Sequence, residues 1–217
     1  MKRVVLLLAL AGLGGGGWYA SQNMDLKDIP GLKLVTAGAG GSTAAPEVKR
    51  TGDTIRIASF NLQSLGRTKL EKPHVMEYIA RNIRQYDVVA LQEIRSRDES
   101  VLPRLVDLVN AAGRQYDYVI GPRVGPTATT EQFAFVFDRA SLEVDRNQLY
   151  TVDDPDDLIR REPLVAWFRV RGPAPEAAFT FTLVNVHVDA EDVEHELPAL
   201  AQVFRGGSTN EETVPVK

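Results

Sequence analysis

The 217-residue chain contains no cysteine. Disulfides, thiolate metal sites and a cysteine nucleophile are therefore all excluded. The chain also lacks an excess of positive charge, because 25 Lys and Arg residues stand against 29 Asp and Glu residues, for a formal net charge of −4. No overall basic field can recruit nucleic acid or anionic lipid, so any recognition of phosphate must come from local arginines.

Long apolar runs are absent except at the N-terminus. Lys2 and Arg3 precede the run VVLLLALAGLGGGGWYA, which is typical of the charged and hydrophobic regions of a signal peptide. Ala20 offers a cleavage point, although Trp18 stands where signal peptidase usually requires a small residue. The run is also close to the lower length limit of a spanning helix. Residues 1–22 thus predict export. If the segment is cleaved, the domain is secreted or periplasmic; if the segment is retained, it tethers the domain to the membrane. A buried N-terminal helix is the plainer alternative.

The rest of the chain divides by composition. Residues 37–53 are rich in Gly, Ala, Ser and Pro and lack hydrophobic periodicity, which predicts a linker over 23–53. The globular domain is predicted at 54–205, where a chain that is 44% hydrophobic can bury one core. The final segment, 206–217, is polar and predicts a disordered tail.

Hydrophobic periodicity predicts an α/β (α+β) domain. Strands are predicted at 54–62, 87–93, 116–122, 132–138, 163–170 and 179–188, and amphipathic helices at 73–86, 99–112 and 191–204. Both faces of 132–138 are apolar, as in a strand that is covered on both sides. The predicted apolar side of the last helix consists of Val193, Leu197, Leu200 and Phe204. Early strand–helix alternation followed by consecutive strands favours a sheet covered by helices.

Polar residues stand where the apolar strands begin or end. Asn61, Glu93 and His187 stand where the apolar parts of three strands end, and Glu131 directly precedes a fourth strand. Such positions often form a site, because a rigid sheet fixes side chains that stay open to water. Singly, each residue has a plainer explanation: Asn61 can bond the turn backbone, Glu93 can pair with Arg95, and His187 can be a hydrogen-bonded, partly buried side chain.

The motifs that carry these residues occur in a fixed order. SFN follows the first strand, LQEIR the second, REP precedes a later strand, and NVH ends the last. This set resembles the endonuclease/exonuclease/phosphatase superfamily, and LQEIR together with RREP resembles its DNase I-like branch, over residues 54 to about 204. The resemblance implies a DNase I-like four-layered α/β sandwich, incomplete at its C-terminal side.

The resemblance also implies roles for individual residues. His187 resembles the catalytic histidine, and Glu131 the carboxylate that holds its other ring nitrogen. Glu93 resembles the carboxylate that holds a divalent metal, and Asn61 the amide that orients the metal site and the scissile phosphate. The implied metal is Mg²⁺, with Mn²⁺ as an alternative. Arg95 and Arg161 resemble arginines that contact backbone phosphates, against a plainer reading as solvated surface ion pairs.

The implied activity is metal-assisted hydrolysis of phosphodiesters, with the DNA backbone as the substrate and no protein partner predicted. A cationic groove is expected from local arginines: Arg67, Arg95, Arg123, Arg160 and Arg161. A phospholipid or phosphoinositide substrate, and a non-catalytic binding protein, are the alternatives. A structural Ca²⁺ in the acidic run 152–158 is a further candidate, but the spacing of its aspartates matches no calcium loop, so a solvated loop is the preferred interpretation.

The family pattern breaks after the last predicted helix. Members of the superfamily normally continue with a strand that ends in a Gly-Asp-Phe/Leu-Asn motif and with an Asp-His pair, and neither motif occurs here. We therefore expect a C-terminally truncated relative of a longer nuclease, with weak or no activity as the chain stands. Completion of the fold by a second chain is the alternative.

Overall fold

A computed structural model describes residues 54–209, with side chains as far as residue 204. Seven strands and four helices follow in chain order. The strands are β1 (Ile57–Leu65), β2 (Val88–Ile94), β3 (Tyr116–Val124), β4 (Glu131–Asp138), β5 (Leu142–Thr151), β6 (Leu164–Val170) and β7 (Thr180–Asn185). The helices are α1 (Arg67–Leu70), α2 (Pro73–Ile83), α3 (Val101–Asn110) and α4 (Val193–Thr209).

The first sheet has the strand order β1-β2-β4-β3, with β1 and β2 parallel and the other pairs antiparallel. Side chains alternate along β2, so successive residues point to opposite faces of the sheet. Val89 and Leu91 pack with the apolar sides of α2 and α3. Val88 and Ala90 point the other way, into the space between the sheets. Strand β4 divides its residues in the same manner, which confirms the prediction that this strand is covered on both faces.

The second sheet, β5-β6-β7, is antiparallel and packs on the inner face of the first. Aromatic rings join the two sheets. The ring centroid of Phe168 on β6 lies 5.6 Å from that of Phe135 on β4, edge to face, and 5.5 Å from that of Phe181 on β7, stacked. These contacts fix the distance between the sheets, and with it the positions of the strand ends that carry the polar residues.

Helix α4 covers the outer face of the second sheet. Val184, Val186 and Val188 on and after β7 pack with Ala199 and Leu200 of this helix. The described residues therefore form four layers: two helices, a sheet, a second sheet and a helix. This arrangement confirms the predicted α/β sandwich.

Two elements were not predicted. Strand β5 buries only Leu142 fully, and it lies at the edge of its sheet, so its sequence lacks the apolar alternation that marks the other strands. Helix α1 has four residues and buries none of them, so it carries no apolar period.

The prediction for α4 was wrong in two respects. The helix extends to Thr209, beyond the expected end at 204, because backbone hydrogen bonds rather than apolar side chains decide where a helix ends. Its buried face differs in part: Val193 and Leu200 pack on the sheet as predicted, but Phe204 is 40% exposed. The fully buried residues of the face are Glu196, Ala199, Leu200 and Val203, with the acidic Glu196 at a core position.

The predicted signal peptide or anchor (1–22), the linker (23–53) and most of the predicted tail (206–217) lie outside the described residues, and export stays a prediction. Among the helices within 54–209, none has the length and apolar character to cross a membrane.

Candidate active site

A bulge in β2 sets the direction of the Glu93 side chain. In the pairing with β4, Leu91↔Ala134 is followed by Ile94↔Gln132, so two β2 residues, Gln92 and Glu93, lie opposite one β4 residue. In the pairing with β1, Asn61↔Gln92 is followed by Leu65↔Ile94, so three β1 residues lie opposite Glu93. Glu93 has a φ of 60°, which is a conformation that costs a non-glycine residue about 1–3 kcal/mol and is found most often at functional sites. The bulge turns the carboxylate towards the edge of the sheet.

The Glu93 carboxylate is held from two sides. Asn61 Nδ2 donates to one oxygen at 2.9 Å, and the backbone N–H of Ser64 donates to the other at 2.8 Å. Burial alone would raise the pKa of this carboxyl, but the hydrogen bonds from Asn61 and Ser64 and the charges of Arg95 and His187 hold it below its usual value. Glu93 thus presents a preoriented, ionised carboxylate at the site.

His187 lies two residues beyond the end of β7 and is held by Glu131. Its Nδ1 is 2.8 Å from Glu131 Oε1, and Glu131, the first residue of β4, is completely buried. A carboxylate only accepts hydrogen bonds, so this contact places a ring proton on Nδ1. His187 Nε2 faces Glu93, with 3.9 Å to its Oε1.

Two arginines flank the other oxygen of Glu131. Arg161 Nε lies 3.6 Å and Arg95 Nε 3.8 Å from Oε2. Arg95 also places its Nη2 3.4 Å from Glu93 Oε2 and so bridges the two carboxylates. Arg161 is only 6% exposed, so the plainer reading of this residue as a solvated surface pair was wrong. All six predicted site residues therefore meet at one edge of the sandwich.

Behind these residues lies a buried polar pair that sequence reasoning missed. Gln92 on β2 and Asn185 on β7 are both fully buried, and the Gln92 amide donates to Asn185 Oδ1 at 2.6 Å. The alternation of side chains along the two strands could have revealed this pair. Gln92 continues the inward-facing series of Val88 and Ala90, and Asn185 continues that of Phe181.

Lys69 on α1 was also missed. Its Nζ donates to the carbonyl of Leu62 at 2.5 Å. Burial lowers the pKa of this amine, while the nearby charge of Glu93 raises it, with a net lowering. The lysine therefore adds a cation beside Glu93 that no motif indicated.

The remaining arginines that were expected in the cationic groove each bind another part of the protein. Arg123 donates to the backbone carbonyls of Arg95, Ser96 and Thr130. Arg160 pairs with Asp189 at 3.0 Å, and the exposed Arg67 pairs with Glu71. Each of these side chains is engaged with the protein itself, so the cationic character of the site comes from Arg95, Arg161 and Lys69.

The donor set suits a hard divalent cation held by one carboxylate. Across residues 54–209, no three His, Asp or Glu side chains are grouped so as to hold a metal by themselves. Mg²⁺ keeps several waters and is often bound through one or two carboxylates, and the ionised Glu93 fits that role. Asn61 Oδ1 accepts the N–H of Gln63 at 2.7 Å, and Asn61 Nδ2 donates to Glu93. In this geometry Asn61 orients the Glu93 carboxylate.

The acidic run 152–158 forms a loop before Arg161. Asp153, Asp156 and Asp157 are exposed, and Asp154 accepts the N–H of Ile159 at 2.6 Å. These contacts are those of a solvated loop with one aspartate turned back to the backbone.

Comparisons with known proteins give the family of the chain. Residues 58–208 match the model of the Endonuclease/Exonuclease/phosphatase family. The chain is 33% identical to deoxyribonuclease gamma of Rattus norvegicus over 157 residues, covering 70% of this chain and 49% of the relative. It is 28% identical to deoxyribonuclease-1 of Bos taurus over 182 residues, covering 81% of this chain and 60% of the relative. The chain thus spans about half the length of the curated relatives that it matches.

Among solved structures, an endonuclease/exonuclease/phosphatase family protein from Bacteroides thetaiotaomicron aligns with a TM-score of 0.47 at 13% identity, over 73% of this chain and 60% of that one. The family match covers well over half of the chain and includes all six site residues. The chain therefore belongs to the endonuclease/exonuclease/phosphatase family, in its DNase I-like branch.

Proposed function

We propose that this domain catalyses the metal-dependent hydrolysis of phosphodiester bonds in DNA. The observation that carries the proposal is the line from Glu131 through His187 to Glu93, in which a buried carboxylate holds one ring nitrogen at 2.8 Å and the other nitrogen faces a second carboxylate 3.9 Å away. A histidine held in this way moves a proton at a reacting oxygen, and a carboxylate beside it holds positive charge at the phosphate.

The proton chemistry belongs to His187. Glu131 fixes the Nδ1–H tautomer and the plane of the ring, so Nε2 is the atom that takes a proton from the attacking water or returns one to the leaving oxygen. The hydrolysis forms a bond from the water oxygen to phosphorus and breaks one phosphorus–oxygen ester bond. Because the ring is held by a completely buried partner, little reorganisation is needed when the substrate arrives.

The arginines stabilise the negative charge that grows on the phosphate. Arg95 is partly exposed and lies between Glu93 and Glu131, from which it can donate to a phosphate oxygen at the open edge. Arg161 is buried against Glu131 and Thr129, so we assign it mainly the role of balancing the Glu131 charge. This differs from the direct phosphate contact that its motif implied.

A divalent cation, Mg²⁺ or in its place Mn²⁺, supplies a fixed positive charge beside the scissile phosphate when it is bound. Glu93 is the residue that would hold it, and Asn61 and Ser64 keep the Glu93 carboxylate oriented. The pKa of Glu93 lies below its usual value, so the ligand is ionised at neutral pH without the cation.

DNA is the proposed substrate because relatives of about 30% identity are deoxyribonucleases by name. Since the chain spans about half of their length, both the activity and the substrate of this chain are part of the proposal.

A nicking assay on supercoiled plasmid, with Mg²⁺ and with chelator, tests the function. The native chain is compared with His187→Ala and with His74→Ala, a matched control at an exposed histidine on α2. We expect Mg²⁺-dependent nicking by the native chain and by His74→Ala, and a loss of about 10²- to 10⁴-fold in His187→Ala.

Two other outcomes would overturn the proposal. Turnover of sphingomyelin without nicking would assign the site to a phospholipid substrate. Absence of any turnover by a folded native chain would leave a binding protein of the same fold.

A further inference from the structure

Glu196 is a buried acidic residue that the proposed chemistry does not use. It lies on α4, is 1% exposed, and shares this helix with Ala199 and Leu200, which belong to the apolar cluster between the helix and the second sheet. A buried carboxylate is costly unless its oxygens are satisfied, and a leucine would pack at such a position without that cost. The contacts of Glu196 therefore call for a reason beyond packing.

Both carboxylate oxygens accept backbone N–H groups from loops that carry site residues. Oε1 accepts the N–H of Arg160 at 2.8 Å, and Oε2 accepts the N–H of Asp189 at 2.8 Å. Arg160 directly precedes Arg161, and Asp189 follows His187 by two residues. One side chain thus binds both of the loops that deliver groups to Glu131.

The contacts form a closed circuit. Glu196 accepts the N–H of Arg160, and the next residue is Arg161, whose Nε lies 3.6 Å from Glu131. Glu131 contacts His187 at 2.8 Å, and the chain returns through Asp189 to Glu196. A second link, from Arg160 Nε to Asp189 Oδ2 at 3.0 Å, joins the same two loops nearer the surface.

From this circuit we infer that Glu196 is a positioning residue for the active site. Its carboxylate holds the loop of His187 and the loop of Arg161 at a fixed separation, so that both side chains reach Glu131 together. Glu196 touches neither the substrate nor the reacting atoms, and it acts through the backbone. The consequence for catalysis rests on the proposed function, whereas the effect on the His187 ring does not.

Glu196→Gln is the informative variant. Glutamine has the same shape and keeps one oxygen acceptor, but its amide nitrogen would face a backbone N–H, so one of the two loop contacts must be lost. Glu194→Gln is the matched control, because Glu194 is exposed on the same helix.

The first measurement is the ¹H–¹⁵N spectrum of the histidine rings in the full chain. The chain has three histidines, and His74 on α2 is the internal reference. We expect the His187 ring signals to shift or broaden in Glu196→Gln, with His74 unchanged and with the His187 signals of Glu194→Gln as in the native chain. Native-like His187 signals in a folded Glu196→Gln chain would overturn the inference, whether or not the chain has activity.

The second measurement is catalytic. If the native chain nicks DNA, Glu196→Gln should lower kcat by about 10- to 100-fold with little change in KM, since a small displacement of a reacting group costs rate rather than binding. An unchanged kcat would count against the inference.

If Glu196→Gln does not fold, hydrogen exchange of the native chain tests the inference instead. The amides of Arg160 and Asp189 should exchange slowly, because Glu196 accepts both of them in a buried site. Exchange of these amides at the rate of an unprotected loop would overturn the inference.

Discussion

Gln92 and Asn185 lie 93 residues apart in the chain and join the two sheets through a 2.6 Å hydrogen bond in the core. Asn185 Nδ2 donates in addition to the carbonyls of Leu91 and Ala134, each at 3.0 Å. Leu91 and Ala134 are the last regular pair of β2 and β4 before the bulge at Glu93. The buried Asn185 amide therefore supports the bulge that orients Glu93 towards the site.

Asn185→Ala is predicted to destabilise the fold by about 2–4 kcal/mol, because it leaves two buried carbonyls without the Asn185 donor and removes the shortest of the hydrogen bonds that the Gln92 amide donates. Urea unfolding measures the change in free energy. The matched control is Gln148→Ala, which removes an exposed amide bonded to Asp145 on β5 and should cost no more than about 0.5 kcal/mol. Equal losses in the two variants would contradict this account of the core.

The conformation of Glu93 makes a second prediction about stability. At a φ of 60° a glycine is unstrained and an alanine is not, so Glu93→Gly should be more stable than Glu93→Ala by about 1–2 kcal/mol. Both variants lose the same carboxylate contacts, so the comparison isolates the backbone. At Thr182, within the regular pairing of β7 with β6, the order should reverse, with Ala more stable than Gly by about 0.5–1 kcal/mol. Thermal or urea unfolding of the four variants measures the stability of Gly relative to Ala at each position. If Gly and Ala ranked in the same order at both positions, the positive φ at Glu93 would be refuted.

Glu131→Gln should reduce DNA nicking by about 100-fold, because glutamine removes the negative charge that holds the His187 tautomer and balances two arginines. Nicking rate is the measurement, with Glu176→Gln in the exposed β6–β7 loop as the charge-matched control. A rate within about threefold of the native rate would show that the Glu131 charge is not used in turnover.

Sequence periodicity predicted most of the sandwich because its central strands obey a simple alternation. The β4 residues Phe133 and Ala134 do pack on opposite sides of their strand. The polar residues near the strand ends were also predictable, since Asn61 and Glu93 lie near the ends of neighbouring parallel strands, and those ends meet at one edge.

What the sequence could not reveal depends on contacts between distant segments. The bulge at Glu93 has no glycine to mark it. Glu196 reads as the charged start of a helix until its two loop partners, 36 and 7 residues away, are known. Arg161 resembled a surface phosphate contact, and only its packing against Glu131 shows that it is buried.

Divalent cation binding is predicted to stabilise the native chain through Glu93. A ligand present at about a hundred times its dissociation constant adds about 2.7 kcal/mol to the free energy of unfolding. Thermal unfolding with and without Mg²⁺ should therefore show an increase in Tm for the native chain and for Glu99→Gln, an exposed acidic control, but none for Glu93→Gln. The same increase in all three chains would place the cation elsewhere.

The last prediction concerns the pH dependence of stability at Glu196. Burial raises the pKa of this carboxyl, and the charge of Asp189 raises it further, whereas the two backbone N–H groups and the charge of Arg161 lower it. The net pKa lies above the ordinary value of 4.5. Arg160, which pairs with Asp189, is the other charged group at the site. The folded chain therefore holds this proton more tightly than the unfolded chain does.

A raised pKa in the folded state contributes stability that is fully present below the unfolded pKa and is lost as pH rises through the folded pKa. Glu196→Gln does not titrate at this position, and its other ionisable groups are those of the native chain. The difference in unfolding free energy, native minus Glu196→Gln, should therefore decrease as pH rises from about 4.5, by at most about 1.4 kcal/mol per pH unit. Urea unfolding across this range measures the difference, and Glu194→Gln should show no such decrease. A difference that is flat or grows with pH would mean that the two backbone hydrogen bonds outweigh burial, and that Glu196 is held as a carboxylate at every pH tested.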